Sequence, residues 1–494
     1  MPKAFEPWMS RPGAPPTRTS PGGTFSPNER QGQHLLFAFL AFSVSICIGY
    51  GVVAVPTIIL VGLIIASAGA FLIARYPFFG LLLYAVLFIT RPGEMYPILG
   101  ALHLERLIGT FTLLVMVLVI VRRYGGLTID QSPQTKALFF FLVAIALSIP
   151  FSYWAGGAMA TFTEMLKILG FYFMVVYLID SPRKVKTFVW VYIFLILYLN
   201  VAALINYYEG KYAFKQGIDR ATGTNSAAGN YNELGTTLAT SVPLLLLLAK
   251  NESARIRRWM AAAAALVAVW GVVLTGSRAS LLGLLAGLVY LWTRSRHKLL
   301  VGGLGLIMVT AAFFVMPHQY QERYGTILHK QLDGSSMGRV EAWQTGLVMV
   351  MDRPLFGVGA GCFGVAHAMG YSSGAHRNWL ESHSLYIQVL AELGVFGAIA
   401  FVIMQRQFLK LNRRTAVLLA RMGNRRRVEA AIINGLFGGF IVLLVSGVFG
   451  HSLYRRTWYV YAGLGLAVYR LLQHERSNID PEPVSESLPP QPHH

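Results

Sequence analysis

One histidine and a few arginines occupy places in this chain that their surroundings do not explain. His383 heads the apolar stretch His383-Ser-Leu-Tyr-Ile-Gln-Val-Leu-Ala-Glu-Leu-Gly-Val-Phe-Gly397, which carries Glu392 and Gly394 in its body. Arg220 opens a segment containing Asn225 and Asn230, and Arg278 lies in Thr-Gly-Ser-Arg-Ala-Ser. Arg339 and Arg353 fall in a long polar stretch, and His451, Arg455 and Arg456 in a short late turn. Guanidinium forks bind phosphate oxygens bidentately and can hold the charge that grows on a departing pyrophosphate. A neutral histidine beside them could take a proton from an incoming hydroxyl. The acidic residues nearby (Asp219, Glu233, Glu322, Asp333, Glu341, Asp352, Glu381) are scattered, with no Asp-x-Asp spacing. No metal and no cofactor is therefore expected.

These residues need elements to hold them, and composition says which. The chain has 494 residues, of which 55% are hydrophobic and 13% charged. Soluble domains carry about 25% charged residues. Apolar runs of roughly 18 residues recur along the sequence, which implies an all-α polytopic integral membrane protein of about 12–14 transmembrane helices. A β-barrel would instead show alternating segments of roughly ten residues. The net charge of +20 reads as cytoplasmic loop bias, not as a nucleic-acid partner.

Alternation from a cytoplasmic N-terminus tests that reading. Arg75, Arg122-Arg123, the Arg183–Lys186 group, the Lys250–Arg258 group, the Arg294–Lys298 group and the Arg406–Arg427 cluster then all fall on one side. Residues 1–33 read as a disordered cytoplasmic arm and 34–316 as transmembrane helices with an outer loop at 207–231. A loop domain at 317–382 follows, on the outer side. Residues 383–475 read as the last transmembrane helices with a basic inner loop at 405–428, and 476–494 as a disordered tail. Both termini are then cytoplasmic, and His383 stands at the outer rim with the unexplained arginines. At that lipid–water boundary the set suits a phosphorylated lipid, with membrane lipids around it.

Simpler roles exist for several of these residues. A histidine at a helix end often caps it or pairs with a carbonyl. Arg278 can snorkel to the interface. Arg455 and Arg456 beside Trp458, Tyr459 and Tyr461 fit an interfacial belt better than a substrate contact. Glu164 and Lys167, three apart, fit mutual neutralisation. His383 opens the helix that carries Glu392, and nine residues turn that helix by about 180° and separate the two by about 13 Å along the axis. Glu392 is thus a structural residue that needs a partner on a neighbouring element. The long loop is the first place to look for whatever orients His383.

Three blocks carry a resemblance. They are Leu274-Thr-Gly-Ser-Arg-Ala-Ser-Leu-Leu-Gly283, then Gly338-Arg339 with Trp343 leading to Arg353-Pro-Leu-Phe-Gly-Val-Gly-Ala-Gly361, and the stretch from His383 to Gly397. Together they resemble the O-antigen ligase and O-antigen polymerase superfamily of bacterial envelopes, over about residues 215–400. The segment around Asn225 and Asn230 matches loosely and lacks a Pro-Asn pair. The resemblance implies a GT-C-like glycosyltransferase of the bacterial inner membrane with a periplasmic active site. Its donor would be undecaprenyl-pyrophosphate-linked glycan, and a ligase's acceptor a sugar of the lipid A core. By motif, His383 would be the base, with Arg220, Arg278 and Arg339 on pyrophosphate; Asn225, Asn230, Arg353, His451 and Arg455 are further candidates for substrate contact. A polymerase would use another lipid-linked repeat unit as acceptor, and a protein O-oligosaccharyltransferase a Ser or Thr. A secondary transporter or flippase, the reading of another class, would place ionisable groups at the bilayer midplane and repeat its halves.

Overall fold

The computed structural model describes residues 57–224, 229–299, 316–325, 334–372 and 379–479, with single residues between 38 and 43 and between 302 and 314. The arm at 1–33, Asn225 and the tail beyond 479 lie outside these. The chain divides into two compact units, Met1–Leu72 and Ile73–His494. Helix α1 (Thr57–Arg75) begins in the first.

The second unit is a helical assembly. Its principal helices are α2 (Pro77–Thr90), α3 (Leu104–Tyr124), α4 (Pro133–Ser148), α5 (Ala155–Leu178) and α6 (Pro182–Tyr208). Then come α7 (Tyr231–Asn251), α8 (Arg255–Leu274), α9 (Arg278–Thr293), α10 (Gly334–Asp352), α11 (Leu385–Arg421), α12 (Arg427–Ser446) and α13 (Arg456–Ile479). Among the described residues, seven helices are long and apolar enough to cross a membrane, and four shorter ones are apolar. The chain is an all-α polytopic membrane protein. Helix starts follow local chemistry. Proline occupies the first turn of α2, α4 and α6, where its missing N–H costs nothing. Ser132, Ser181 and Ser277 cap α4, α6 and α9 by accepting the backbone N–H three residues on.

Two features depart from simple helices. Residues 213–220 form a small hairpin, β1 (Ala213–Lys215) with β2 (Ile218–Arg220), in which Ala213 pairs with Arg220. Its turn residues Gln216 and Gly217 both have positive φ, 58° and 77°, as a two-residue hairpin turn of the primed type requires. The second departure is in α11. This helix runs through Arg421, so most of the basic stretch read as an inner loop is helical, and α13 likewise continues to Ile479. It is also interrupted at Gly394, where φ is 64° and ψ −165°.

A break in the body of an apolar helix strands carbonyls and N–H groups that lipid cannot satisfy. Here residues 354–361 fill the gap. Val358 and Gly359 donate their N–H groups to the carbonyls of Ala391 and Glu392 at 2.8 and 3.0 Å. Val395 and Phe396 donate theirs to the carbonyls of Pro354 and Leu355 at 2.8 and 3.3 Å. A Cβ on Gly394 would overlap the Leu355 carbonyl carbon, and one on Gly357 (φ 70°) would overlap the carbonyl carbon of Glu392. The glycines of the 354–361 turn are thus required by its insertion into α11, not merely by its own curvature.

Candidate active site at one end of the helix assembly

His383 lies outside the helix that the sequence assigns to it. Ser384 is extended and takes the N-cap position, so α11 begins at Leu385. His383 itself has a left-handed backbone, φ 47°, a conformation that costs a non-glycine residue about 1–3 kcal/mol and often marks a functional position. The segment is held by its neighbours: Leu385 donates its N–H to the Gly447 carbonyl at 2.7 Å, and Ser382 Oγ donates to the Ser384 carbonyl at 3.3 Å. Among the described residues the His383 ring makes no hydrogen bond, and its aromatic neighbour is His451. Burial, His451 and Arg339 push its pKa down to about 4, against a smaller opposing effect of Glu381. At neutral pH the ring is uncharged, with its lone pair available to a proton.

The first turn of α7 gathers the other residues. Asn230 caps that helix by accepting the Asn232 N–H at 2.9 Å, which gives it a structural task. Tyr231 places its ring under the Arg220 guanidinium, 4.2 Å from centroid to Cζ. Arg220 is 1% exposed and also donates to Gln216 Oε1. Asn232 Oδ1 accepts the Ser277 hydroxyl at 2.7 Å, which fastens the start of α9, where Arg278 is the first residue. The Glu233 carboxylate lies 4.0 Å from His451 Nε2. Its backbone carbonyl and the Thr237 hydroxyl each accept a hydrogen bond from Arg455 at 3.0 Å. His451 in turn stands against His383, with ring centroids 6.0 Å apart and planes at 60°.

Arg339 reaches the same region from α10, its guanidinium 5.9 Å from the Phe449 ring and close enough to depress the His383 pKa. Arg353 is engaged elsewhere. It lies over Tyr153, 4.5 Å from the ring centroid, and donates to the Phe151 carbonyl. Arg455 and Arg456 are not a belt: Trp458, Tyr459 and Tyr461 are buried in the core, and Arg456 turns inward over Phe88, 4.1 Å from its centroid.

Glu392 has the partners on other elements that its burial demands. Its Oε2 accepts the Gly361 N–H at 2.8 Å and the Tyr454 hydroxyl at 2.6 Å, and Gln388 donates to Oε1 at 3.3 Å. Gln388 also accepts the Leu453 N–H at 3.2 Å. The pair ties the inserted loop and the turn bearing His451 to the upper half of α11. Glu164 does contact Lys167, at 2.5 Å, but it also faces Arg91 at 3.6 Å and Arg456 at 4.0 Å. The sequence reading passed over Glu233 as one of several scattered acids and did not single out Arg91. Arg91 has the same signal as the others: in the alternation read from the sequence it falls at the end that the basic clusters avoid.

Residues 262–402 match the family model described as O-antigen ligase. Comparison with curated proteins finds no match. A chain from a solved structure described as "Structural coordination of polymerization and crosslinking by a peptidoglycan synthase complex" is similar at 15% identity with a TM-score of 0.39. The alignment spans 68% of this chain and 97% of that one. The segment matched to the family model contains Arg278, Arg339, His383 and Glu392, and over that part of the chain the match supports a likeness to the O-antigen ligase superfamily.

Proposed function

We propose that this protein is an O-antigen ligase of the bacterial inner membrane. It transfers glycan from undecaprenyl-pyrophosphate to a sugar of the lipid A core, on the periplasmic side, with both termini cytoplasmic. The observation that carries the reading is the meeting of an uncharged His383 with Arg339 and His451, beside the helix start that gathers Arg220 and Arg278.

The chemistry follows from these groups. An acceptor hydroxyl gives its proton to His383 as its oxygen attacks C1 of the donor sugar. The C1–O bond to pyrophosphate breaks, and its electron pair leaves on the pyrophosphate oxygen. Arg220, Arg278 and Arg339 hold that growing charge. Attack opposite the leaving group inverts the anomeric centre. His383 returns its proton to solvent or to the departing pyrophosphate. As written, the transfer uses no metal and no nucleotide.

Purified protein in proteoliposomes, given lipid-linked glycan and lipid A core without ATP, should form the joined product, and His383→Ala should lower that rate by about 10²–10⁴-fold, the usual contribution of a general base. Product identified instead on a second lipid-linked unit, or on a Ser or Thr, would reassign the acceptor. Movement of donor across the bilayer without bond formation would remove the enzyme reading.

A further inference from the structure

A second cavity, of about 200 Å³, opens at the start of α3, the end of that helix away from Arg122 and Arg123. Two single-turn segments, Pro92–Met95 and Pro97–Ala101, form one wall. They pack where Gly93 meets Gly100, so closely that a Cβ on Gly100 would sit 2.6 Å from the Gly93 carbonyl oxygen. The end of α2, the first turn of α3 and Lys167 of α5 complete the lining. Both signs of charge border this space, Arg91, Arg106 and Lys167 against Glu94 and Glu105. Arg91 is held by Glu94 at 2.8 Å and Lys167 by Glu164 at 2.5 Å. Glu105 differs from the other acids. Among the described residues its half-buried carboxylate accepts no hydrogen bond and joins no ion pair, although Arg91 and Lys167 act on it from further off. A carboxylate at the edge of a membrane span is costly without a partner. The Arg106 guanidinium, beside it in the lining, likewise has no hydrogen bond or ion pair among the described residues. From the cavity an exposed apolar stripe runs along α3 through Leu107, Leu114 and Leu118, with Ile98 and Leu102 exposed at its head.

We infer that this is a binding site for an ethanolamine phospholipid, with its head group in the cavity and its chains along α3. The inference does not depend on the proposed transfer reaction. Charge comes first: Glu105 and Arg106 are of opposite sign, line one space and are not joined to each other, which suits a zwitterion. Phosphate oxygens would accept from the Arg106 guanidinium and an ammonium would donate to the Glu105 carboxylate, both as charge-assisted hydrogen bonds. A purely anionic head would leave Glu105 unmatched. The kind of ammonium comes second. A quaternary choline has no N–H to donate and favours aromatic faces, and this lining contains no Phe, Tyr or Trp. Size and reach come third. The cavity is smaller than the roughly 300–1,000 Å³ of drug-sized sites, so it takes a polar head and leaves the chains outside. Leu107 to Leu118 covers about 17 Å of helix, close to half of a hydrocarbon core roughly 30 Å thick.

Native mass spectrometry of the full-length protein in detergent can test the site, with phosphatidylethanolamine, phosphatidylcholine and phosphatidylglycerol of identical chains as probes. The wild type should hold the ethanolamine lipid about fivefold or more tighter than the other two. Glu105→Gln should abolish that preference by weakening the ethanolamine lipid, with phosphatidylglycerol unchanged or tighter. Glu105→Asp keeps the carboxylate and should restore most of the loss, which guards against misfolding as the cause. Arg106→Gln should weaken the ethanolamine and glycerol lipids alike, because both carry the phosphate. Unchanged ethanolamine-lipid binding in Glu105→Gln would overturn the inference, as would an equal loss of ethanolamine and glycerol lipids in that variant. An Arg106→Gln protein that bound all three lipids as the wild type does would overturn it too. Water-soluble glycerophosphoethanolamine should displace the lipid only in large excess; displacement at equal concentration would show that the chains contribute nothing and would remove the lipid from the site. The readout needs no turnover.

Discussion

At the scale of the residue, His383 is a base whose state is set by its neighbours. Burial, His451 and Arg339 hold it uncharged, with its pKa about 4. The free enzyme's acid limb in kcat/KM should therefore sit near that pH, well below an ordinary histidine at roughly 6.5. Bound pyrophosphate brings negative charge, so the acid limb of kcat should lie at higher pH than that of kcat/KM. Arg339→Gln removes a positive neighbour and should move the kcat/KM limb upward; a limb that stays put would separate Arg339 from the base. The same depression bears on stability. The folded ring binds fewer protons than the unfolded one between pH about 4 and roughly 6.5. Its contribution is full above that window and lost as pH falls through it, which thermal unfolding across the range would register. The residue types were readable in the sequence because arginines that the alternation of basic loops assigns to the depleted side have no topological reason to be there. His383's backbone was not, since His-Ser-Leu permits a helix start at either polar residue, whereas in the structure the Leu385 N–H is held by the distant Gly447 carbonyl.

At the scale of the element, two short pieces organise the site. One is the first turn of α7, where three consecutive side chains, Tyr231, Asn232 and Glu233, meet Arg220, Ser277 and His451. Those partners are far apart in sequence, so no local pattern could announce the meeting. The other is the break in α11. Apolar periodicity identifies a helix there, but a single glycine among leucines does not reveal that another segment enters at it. Gly394→Ala combines a left-handed backbone with an overlap on Leu355. It should cost at least the roughly 1–3 kcal/mol of backbone strain, seen as a lower melting temperature in detergent. Glu392→Ala leaves the Gly361 N–H and Tyr454 hydroxyl without their acceptor, at about 1–3 kcal/mol for each buried group. Glu392→Gln keeps one acceptor oxygen and should melt between wild type and the alanine variant. A reversed order would take Glu392 out of its bridging role.

At the scale of the whole molecule, the positive-inside rule and the site agree on which ends belong together. The hairpin turn at Gln216-Gly217 should face the periplasm and the turn at Gly423-Asn424 the cytoplasm. Single cysteines at Gln216 and Asn424, in a background with Cys47 and Cys362 changed to serine, should therefore be labelled from opposite sides of intact cells; labelling from the same side would invert the proposed orientation. The number of helices was less legible than their kind, because several apolar segments are short and only their burial against neighbours marks them as part of the assembly.

The interrupted α11 also bears on how the protein is assembled. Residues 354–361 are made before α11, yet they can occupy its gap only after that helix has entered the bilayer. Until then an unbroken helix is the cheaper state for residues 385–404, because open carbonyls facing lipid cost several kcal/mol. The segment should accordingly integrate as an ordinary span and acquire its break in a later docking step. Glu392 and Gly394 would thus act as a checkpoint in maturation. A chain whose loop fails to dock would hold the right number of spans and yet never present His383 at its working position.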